Sequence, residues 1–192
     1  MTICLATNNS HKVEELQQML GDKFTIKTMA DIGFTDEIEE TENTFQGNSR
    51  LKARHIYDKY GMATIADDSG LEVEALNGEP GIYSARYAGE HGNHAKNNAK
   101  LLKEMKGKAN RNAQFRSVVT FIHNDVESQF EGIIKGKINE ELSGAGGFGY
   151  DPLFTPKGYD RTFAEMTMEE KNPISHRGLA VEKLVAHLQR LK

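Results

Sequence analysis

In the stretch Met62-Ala63-Thr64-Ile65-Ala66-Asp67-Asp68-Ser69-Gly70-Leu71, five uncharged residues lead straight into two adjacent carboxylates. A short, mostly apolar run of this kind predicts a buried strand over 62–66, with Ser69-Gly70 turning the chain. Acids at the C-terminal end of a buried strand fall in the crevice where open α/β sheets bind ligands. Adjacent strand residues face opposite sides, so Asp67 and Asp68 are expected to differ in role. One can hold a cation or activate water, while the other caps or braces the turn. An acidic turn without chemistry accounts for the same residues taken alone.

Outward from that stretch, strand and helix patterns alternate. Residues 2–6 form an apolar run read as a buried strand, followed by a polar loop and a helix with Val13, Leu16 and Leu20 at helical spacing and Gly21 at its end. Residues 24–28 alternate as a second strand. Thr44 is the expected N-cap of a helix that carries Phe45, Leu51, Ile56, Tyr57 and Tyr60 and stops at Gly61. After Ser69-Gly70, residues 71–76 alternate again and residues 77–81 cluster as a turn. A helix is expected over 95–105. Strands over 115–122 and 128–135, joined by His123-Asn124-Asp125, read as an antiparallel hairpin. The chain closes on an amphipathic helix with Val181, Leu184, Val185, Leu188 and Leu191 on one face. No repeat and no linker interrupts the pattern, which predicts one mixed α/β domain over residues 1–192.

The 192 residues suffice for one substantial core, and 38% hydrophobic with 27% charged residues is an ordinary globular composition. A formal net charge of −4 provides no global field toward a nucleic-acid backbone. No apolar stretch reaches membrane-spanning length, and the start Met1-Thr2-Ile3-Cys4-Leu5 lacks the basic region of a signal peptide, so a cytoplasmic protein is expected. Cys4 is the single cysteine and reads as a small buried hydrophobe.

Four further segments have residue types suited to chemistry. Thr7-Asn8-Asn9-Ser10-His11-Lys12 joins a strand to a helix, where outward backbone N–H groups and the Lys12 charge favour phosphate. The bland alternative is a plain turn with Ser10 as N-cap. Glu39 and Glu40, in an acidic loop, read as solvated on their own; combined with Asp68 they suggest a hard-cation site, since magnesium takes a few carboxylates plus phosphate oxygens. Gly144, Gly146 and Gly149 fit the dinucleotide-binding spacing by letter, but Tyr150-Asp151-Pro152 cannot open the helix it requires. The glycines instead suggest close backbone approach to a ligand, with Phe148 or Tyr150 stacking on a base. Ser175-His176-Arg177-Gly178 opens the last helix, and basic residues in a first turn oppose the helix dipole, which hints at a ligand.

Several segments together resemble the inosine triphosphate pyrophosphatase family, the bacterial dITP/XTP pyrophosphatases. The resemblance rests on Ala6 to Lys12, Glu39-Glu40-Thr41 with Thr44-Phe45, Leu51-Lys52-Ala53-Arg54, Ala66 to Leu71, Pro80-Gly81-Ile82-Tyr83-Ser84-Ala85-Arg86-Tyr87, Gly146 to Pro152 and Ser175 to Gly178. It implies an elongated mixed sheet flanked by helices, with two lobes and a deep central substrate cleft. It also implies a magnesium-dependent homodimer that converts purine nucleoside triphosphates to the monophosphate and pyrophosphate. Asp68 is then the residue that activates water, and Glu40 and Asp68 are the metal ligands, with Glu39 as the neighbour that could replace Glu40. Thr7, Asn8, Asn9, Ser10, His11, Lys12 and Ser69 would hold the triphosphate, with Lys171 at the phosphates or the base. Phe148, Gly149, Tyr150, Asp151, His176 and Arg177 would hold the base. A donor such as Arg177 suits the C6 carbonyl of hypoxanthine and xanthine and is mismatched to the C6 amine of adenine. The rival functions are a pyrophosphatase of other modified nucleotides and a non-hydrolytic nucleotide-binding regulator. One departure is visible: the family loop usually has glycine where Asn8 stands, and Asn is a residue that tolerates left-handed backbone.

Overall fold

A computed structural model describes residues 1–21 and 24–191. Six strands, β1 (Thr2–Leu5), β2 (Thr25–Thr28), β3 (Thr64–Val73), β4 (Asn112–His123), β5 (Val126–Ile138) and β6 (Phe154–Pro156), follow the order β2-β1-β3-β4-β5-β6. β1 runs parallel to both β2 and β3, whereas β6 is antiparallel to β5. Asn124 and Asp125, at φ 50° and 60°, form the two-residue turn between β4 and β5. That left-handed pair is the chemistry of a tight hairpin, so the expected antiparallel ribbon is present. The helices are α1 (Ser10–Leu20), α2 (Phe45–Tyr60), α3 (His94–Glu104), α4 (Met168–Lys171) and α5 (His176–Arg190).

The chain forms two compact units. The first comprises residues 1–68, 117–132 and those from Arg177 onward; the second comprises 69–116 and 133–176. In the first unit, strand alternation builds a core on each sheet face. Ile3, Leu5 and Ile65 pack with Leu16 and Leu20 of α1 and Val181, Leu184 and Leu188 of α5. Cys4, Ala6 and Ala66 point the other way, against Ala53 and Ile56 of α2. The second unit has its own core, in which Leu71, Val73 and Phe115 meet Leu101 of α3, Phe154 and Phe163.

Three local expectations change. β3 does not turn at Ser69-Gly70 but continues to Val73. Local turn preference yields here to strand pairing, because β3 continues as a neighbour of β4 and a turn would leave backbone groups of that ladder unmade. The N-cap of α1 is Asn9, whose side chain accepts from the Lys12 amide at 3.2 Å, rather than Ser10. Leu191 lies beyond the end of α5 and is exposed, so it does not join the apolar face. Thr44 does cap α2, accepting from the Gly47 amide at 3.0 Å.

Candidate active site

In the first unit the alternation of β3 decides which helix each aspartate meets. Asp67 falls on the Ile65 side, toward α1 and α5; Asp68 falls on the Ala66 side, toward α2. Asp67 is fully buried and accepts from Lys12 Nζ at 3.1 Å and Arg177 Nε at 3.2 Å. Arg177 is also ion-paired through Nη1 to Glu15 of α1. Burial works against the Arg177 charge, but Glu15 and Asp67 outweigh it and push its pKa up. Lys12 is pulled down, first by burial and then by the neighbouring Lys52 and Arg177, with Asp67 opposing. An arriving polyanion would reverse that balance.

On the other side, Asp68 is buried beside Lys52, Glu40 and Asn48. Burial, then the Glu40 charge, raise its pKa to about 6, against the downward pull of Lys52, Lys12 and a hydrogen bond with Asn48. Lys52 Nζ donates to Glu40 Oε1 at 2.5 Å and to the Asp67 carbonyl at 2.8 Å. Burial lowers the Lys52 pKa, yet Asp68, Glu40 and Asp67 together hold it above the ordinary lysine value. Glu40 is the half-buried acid of its loop, and Glu39 is exposed. Three cations (Lys12, Lys52, Arg177) thus stand among four carboxylates (Glu15, Glu40, Asp67, Asp68). A cluster already short of positive charge cannot neutralise a triphosphate by itself. Two hard oxygen donors, Glu40 and Asp68, fit magnesium, which binds through one or two carboxylates plus phosphate rather than an all-protein cage. Among the described residues there is no group of three or more His, Cys, Asp and Glu able to hold a metal.

The loop before α1 is ordered by its own side chains, with Asn9 N donating to Thr7 Oγ1 at 3.2 Å. Asn8, Ser10 and His11 are exposed, as a surface meeting a polar ligand requires. Asn8 is not among the residues with positive φ, so the glycine-to-asparagine departure calls for no left-handed geometry.

The second unit has the other expected residues. Asp151 and Lys171, both buried, pair at 2.7 Å, and Asp151 Oδ2 also accepts from the Phe148 amide at 3.0 Å. Lys171 Nζ lies 5.1 Å from the centre of the half-buried Phe148 ring. Asn98 of α3 donates to the Gly149 carbonyl at 2.9 Å. Tyr150 differs from expectation. Its ring is a core member, and its hydroxyl donates to the Ser84 carbonyl at 2.7 Å, so Phe148 is the ring with a face to offer. Two of the glycines serve the protein itself: a Cβ on Gly147 would stand 2.2 Å from Asp151 Oδ2, and one on Gly144 would meet the Ala164 backbone at 2.5 Å. His176 is buried and stacked on Phe115, with centroids 4.7 Å apart. Ser69 continues β3 and is half-buried.

Lys52, Asn48 and Glu15 carried no assignment from sequence. The signal for two of them was present: the buried positions of α2 (Phe45, Asn48, Ser49, Lys52, Ala53, Ile56) recur at helical spacing, and three are polar. Polar groups on a buried stripe need buried partners.

Residues 3–187 match the family described as the Ham1 family. A dITP/XTP pyrophosphatase of Flavobacterium johnsoniae is 49% identical over 185 residues, covering 96% of each chain. One of Bacillus licheniformis is 47% identical over 190 residues, covering 97% of each. Among solved structures, the Ham1 protein of Staphylococcus aureus superposes with a TM-score of 0.91 at 38% identity, covering 100% of both chains.

Proposed function

Because the chain belongs to the Ham1 family, we propose that it hydrolyses non-standard purine nucleoside triphosphates (ITP, dITP and XTP) to the monophosphate and pyrophosphate, clearing them from the nucleotide pool. The relatives' names supply the substrate class. The observation that carries the chemistry is Asp68, a buried carboxylate with a pKa of about 6, set between Lys52 and Glu40. A general base works best with a pKa near the working pH.

In this mechanism Asp68 takes a proton from water as the water oxygen bonds to the α-phosphorus. The bond from that phosphorus to the bridging oxygen breaks, and pyrophosphate leaves with the electron pair. Lys12 and the N-terminal amides of α1 hold the phosphate tail, with Thr7, Asn8, Asn9, Ser10, His11 and Ser69 lining its path. Lys52 fixes Glu40 and balances charge beside Asp68. Glu40 and Asp68 would hold magnesium, which when bound neutralises charge on the phosphates and lowers the pKa of coordinated water. For the base, Phe148 provides the stacking face, and Gly149, Tyr150, Asp151, Lys171 and His176 shape and charge its surroundings. Arg177 serves both Asp67 and the C6 carbonyl.

The direct test is a pyrophosphate-release assay over a panel of triphosphates with magnesium. Inosine and xanthosine triphosphates should exceed adenosine triphosphate in kcat/KM by about a hundredfold or more, the discrimination available when a site's hydrogen bonds mismatch the wrong base. Equal rates would leave a general triphosphatase, and bound but unhydrolysed nucleotide would leave a regulator. Excess chelator should abolish release, and added magnesium should restore it more fully than calcium. Full activity in chelator would rule out the metal pair. A homodimer, on the family resemblance, completes the proposal. No helix among the described residues is long and apolar enough to cross a membrane, and sedimentation measures the oligomeric state.

A further inference from the structure

Glu40 lies in a loop without regular secondary structure, yet the site needs it beside Asp68. Two features of the first turns of α2 press on that loop. Asn48, with no exposed surface, accepts from the Glu42 backbone amide through Oδ1 at 3.0 Å. That bond fixes the amide's orientation, so Nδ2 is the end left to face Asp68. Nδ2 is buried without a well-aligned acceptor among the described residues, and its bond to Asp68 is a loose one. One residue earlier, Gly47 lets the Glu42 side chain lie directly on the helix: a Cβ there would stand 2.7 Å from Glu42 Cβ and 3.0 Å from Cγ. One turn after Asn48, Lys52 holds Glu40.

We propose that Gly47 and Asn48 are positioning residues, a clamp on Glu42 that sets the acidic loop so that Glu40 and Asp68 form one metal-binding pair. The inference rests on the proposed metal role of those two carboxylates. Gly47 touches no reacting atom, and Asn48 reaches them only through its hydrogen bond to Asp68. Loss of the clamp lets the loop drift, so the pair binds a cation more weakly, while the phosphate loop and the base site are unchanged.

Gly47→Ala gives the sharper test. Gly47 lies in the first turn of α2, where the gain of alanine over glycine is offset by the displacement of Glu42, so the thermal midpoint should change little. Groups that orient metal ligands typically change metal affinity by about 10–100-fold. Mn²⁺ binding to the metal-free protein, read by electron paramagnetic resonance, should weaken at least about tenfold. The half-saturating magnesium concentration for turnover should rise in step, with the KM for inosine triphosphate and kcat at saturating magnesium both held within about threefold. Asn48→Ala should weaken Mn²⁺ binding to the same extent and speed hydrogen exchange at the Glu42 amide; because it also removes a hydrogen bond from Asp68, kcat is read in Gly47→Ala alone. Asn48→Asp, which keeps the acceptor for that amide, should restore its protection. Wild-type Mn²⁺ affinity in both Gly47→Ala and Asn48→Ala overturns the clamp, as does a fall in the kcat of Gly47→Ala that magnesium cannot restore. Failure of the wild type itself to bind Mn²⁺ removes the metal pair, and the clamp with it.

Discussion

Asp68→Asn is expected to lower turnover by about 10²–10⁴-fold, the usual effect of removing a general base, while nucleotide binding persists. The same exchange should stabilise the metal-free protein. The folded state favours the neutral carboxyl, since burial first and the Glu40 charge second raise its pKa to about 6. In the unfolded chain the group ionises near pH 4. The resulting penalty is therefore absent below about pH 4, grows as pH rises, and is complete above about 6. At neutral pH it is on the order of 2–3 kcal/mol, or about 4–12 °C in thermal midpoint for a chain of this size. Melting curves in chelator should show the variant above the wild type, with the gap widening from pH 5 to pH 7. A variant that keeps a third of normal turnover would remove Asp68 from the base role. One that melts lower at pH 7 would show that its ion partners outweigh its burial.

Arg177→Ala should cost about 3–5 kcal/mol of stability, the scale for removing one partner of a buried charge group. Asp67 and Glu15 would be left deep in the protein without the guanidinium that both now share. The thermal midpoint should fall by about 6–20 °C, and Glu15→Gln combined with Arg177→Ala should cost less than the sum of the two, because they act on one network. A loss under 1 kcal/mol would mean that water reaches the cluster. Reading of the base needs a gentler exchange. Arg177→Lys keeps the charge and loses the planar fork. It should reduce the kcat/KM advantage of inosine over adenosine triphosphate by about ten- to a hundredfold, the value of one charged hydrogen bond. Equal losses for both substrates would confine Arg177 to bracing Asp67.

The elements with strong periodicity were legible in the sequence: α1, α2 and α5, the hairpin of β4 and β5, and the Thr44 cap. What escaped depended on distant partners. Ser69-Gly70 has the composition of a turn, and pairing within the sheet, rather than local preference, keeps it in β3. Tyr150 and Phe148 are alike in sequence, and the hydroxyl's reach to Ser84 is what places one in the core. The four acids and three cations of the first unit come from five separate segments, so their pairing could not be read from spacing. The two acid pairs stood out from strand position and local charge, and family resemblance chose Asp68 over Asp67 and Glu40 over Glu39. Lys52 and Asn48 were discoverable from helical spacing alone, because polar residues on a buried stripe require an explanation.

The two aspartates also set a rule about odd and even numbers. Their different surroundings follow from a backbone that alternates sides at every step. One residue inserted into β3 ahead of Asp67 would exchange the pair, turning the carboxylate that now faces α2 toward α1 and α5, and the reverse, while every local letter remained. Two inserted residues would restore the sides. Ahead of Asp67, insertions and deletions in β3 are therefore filtered by parity before size, and a single added residue is tolerated only where a bulge absorbs it.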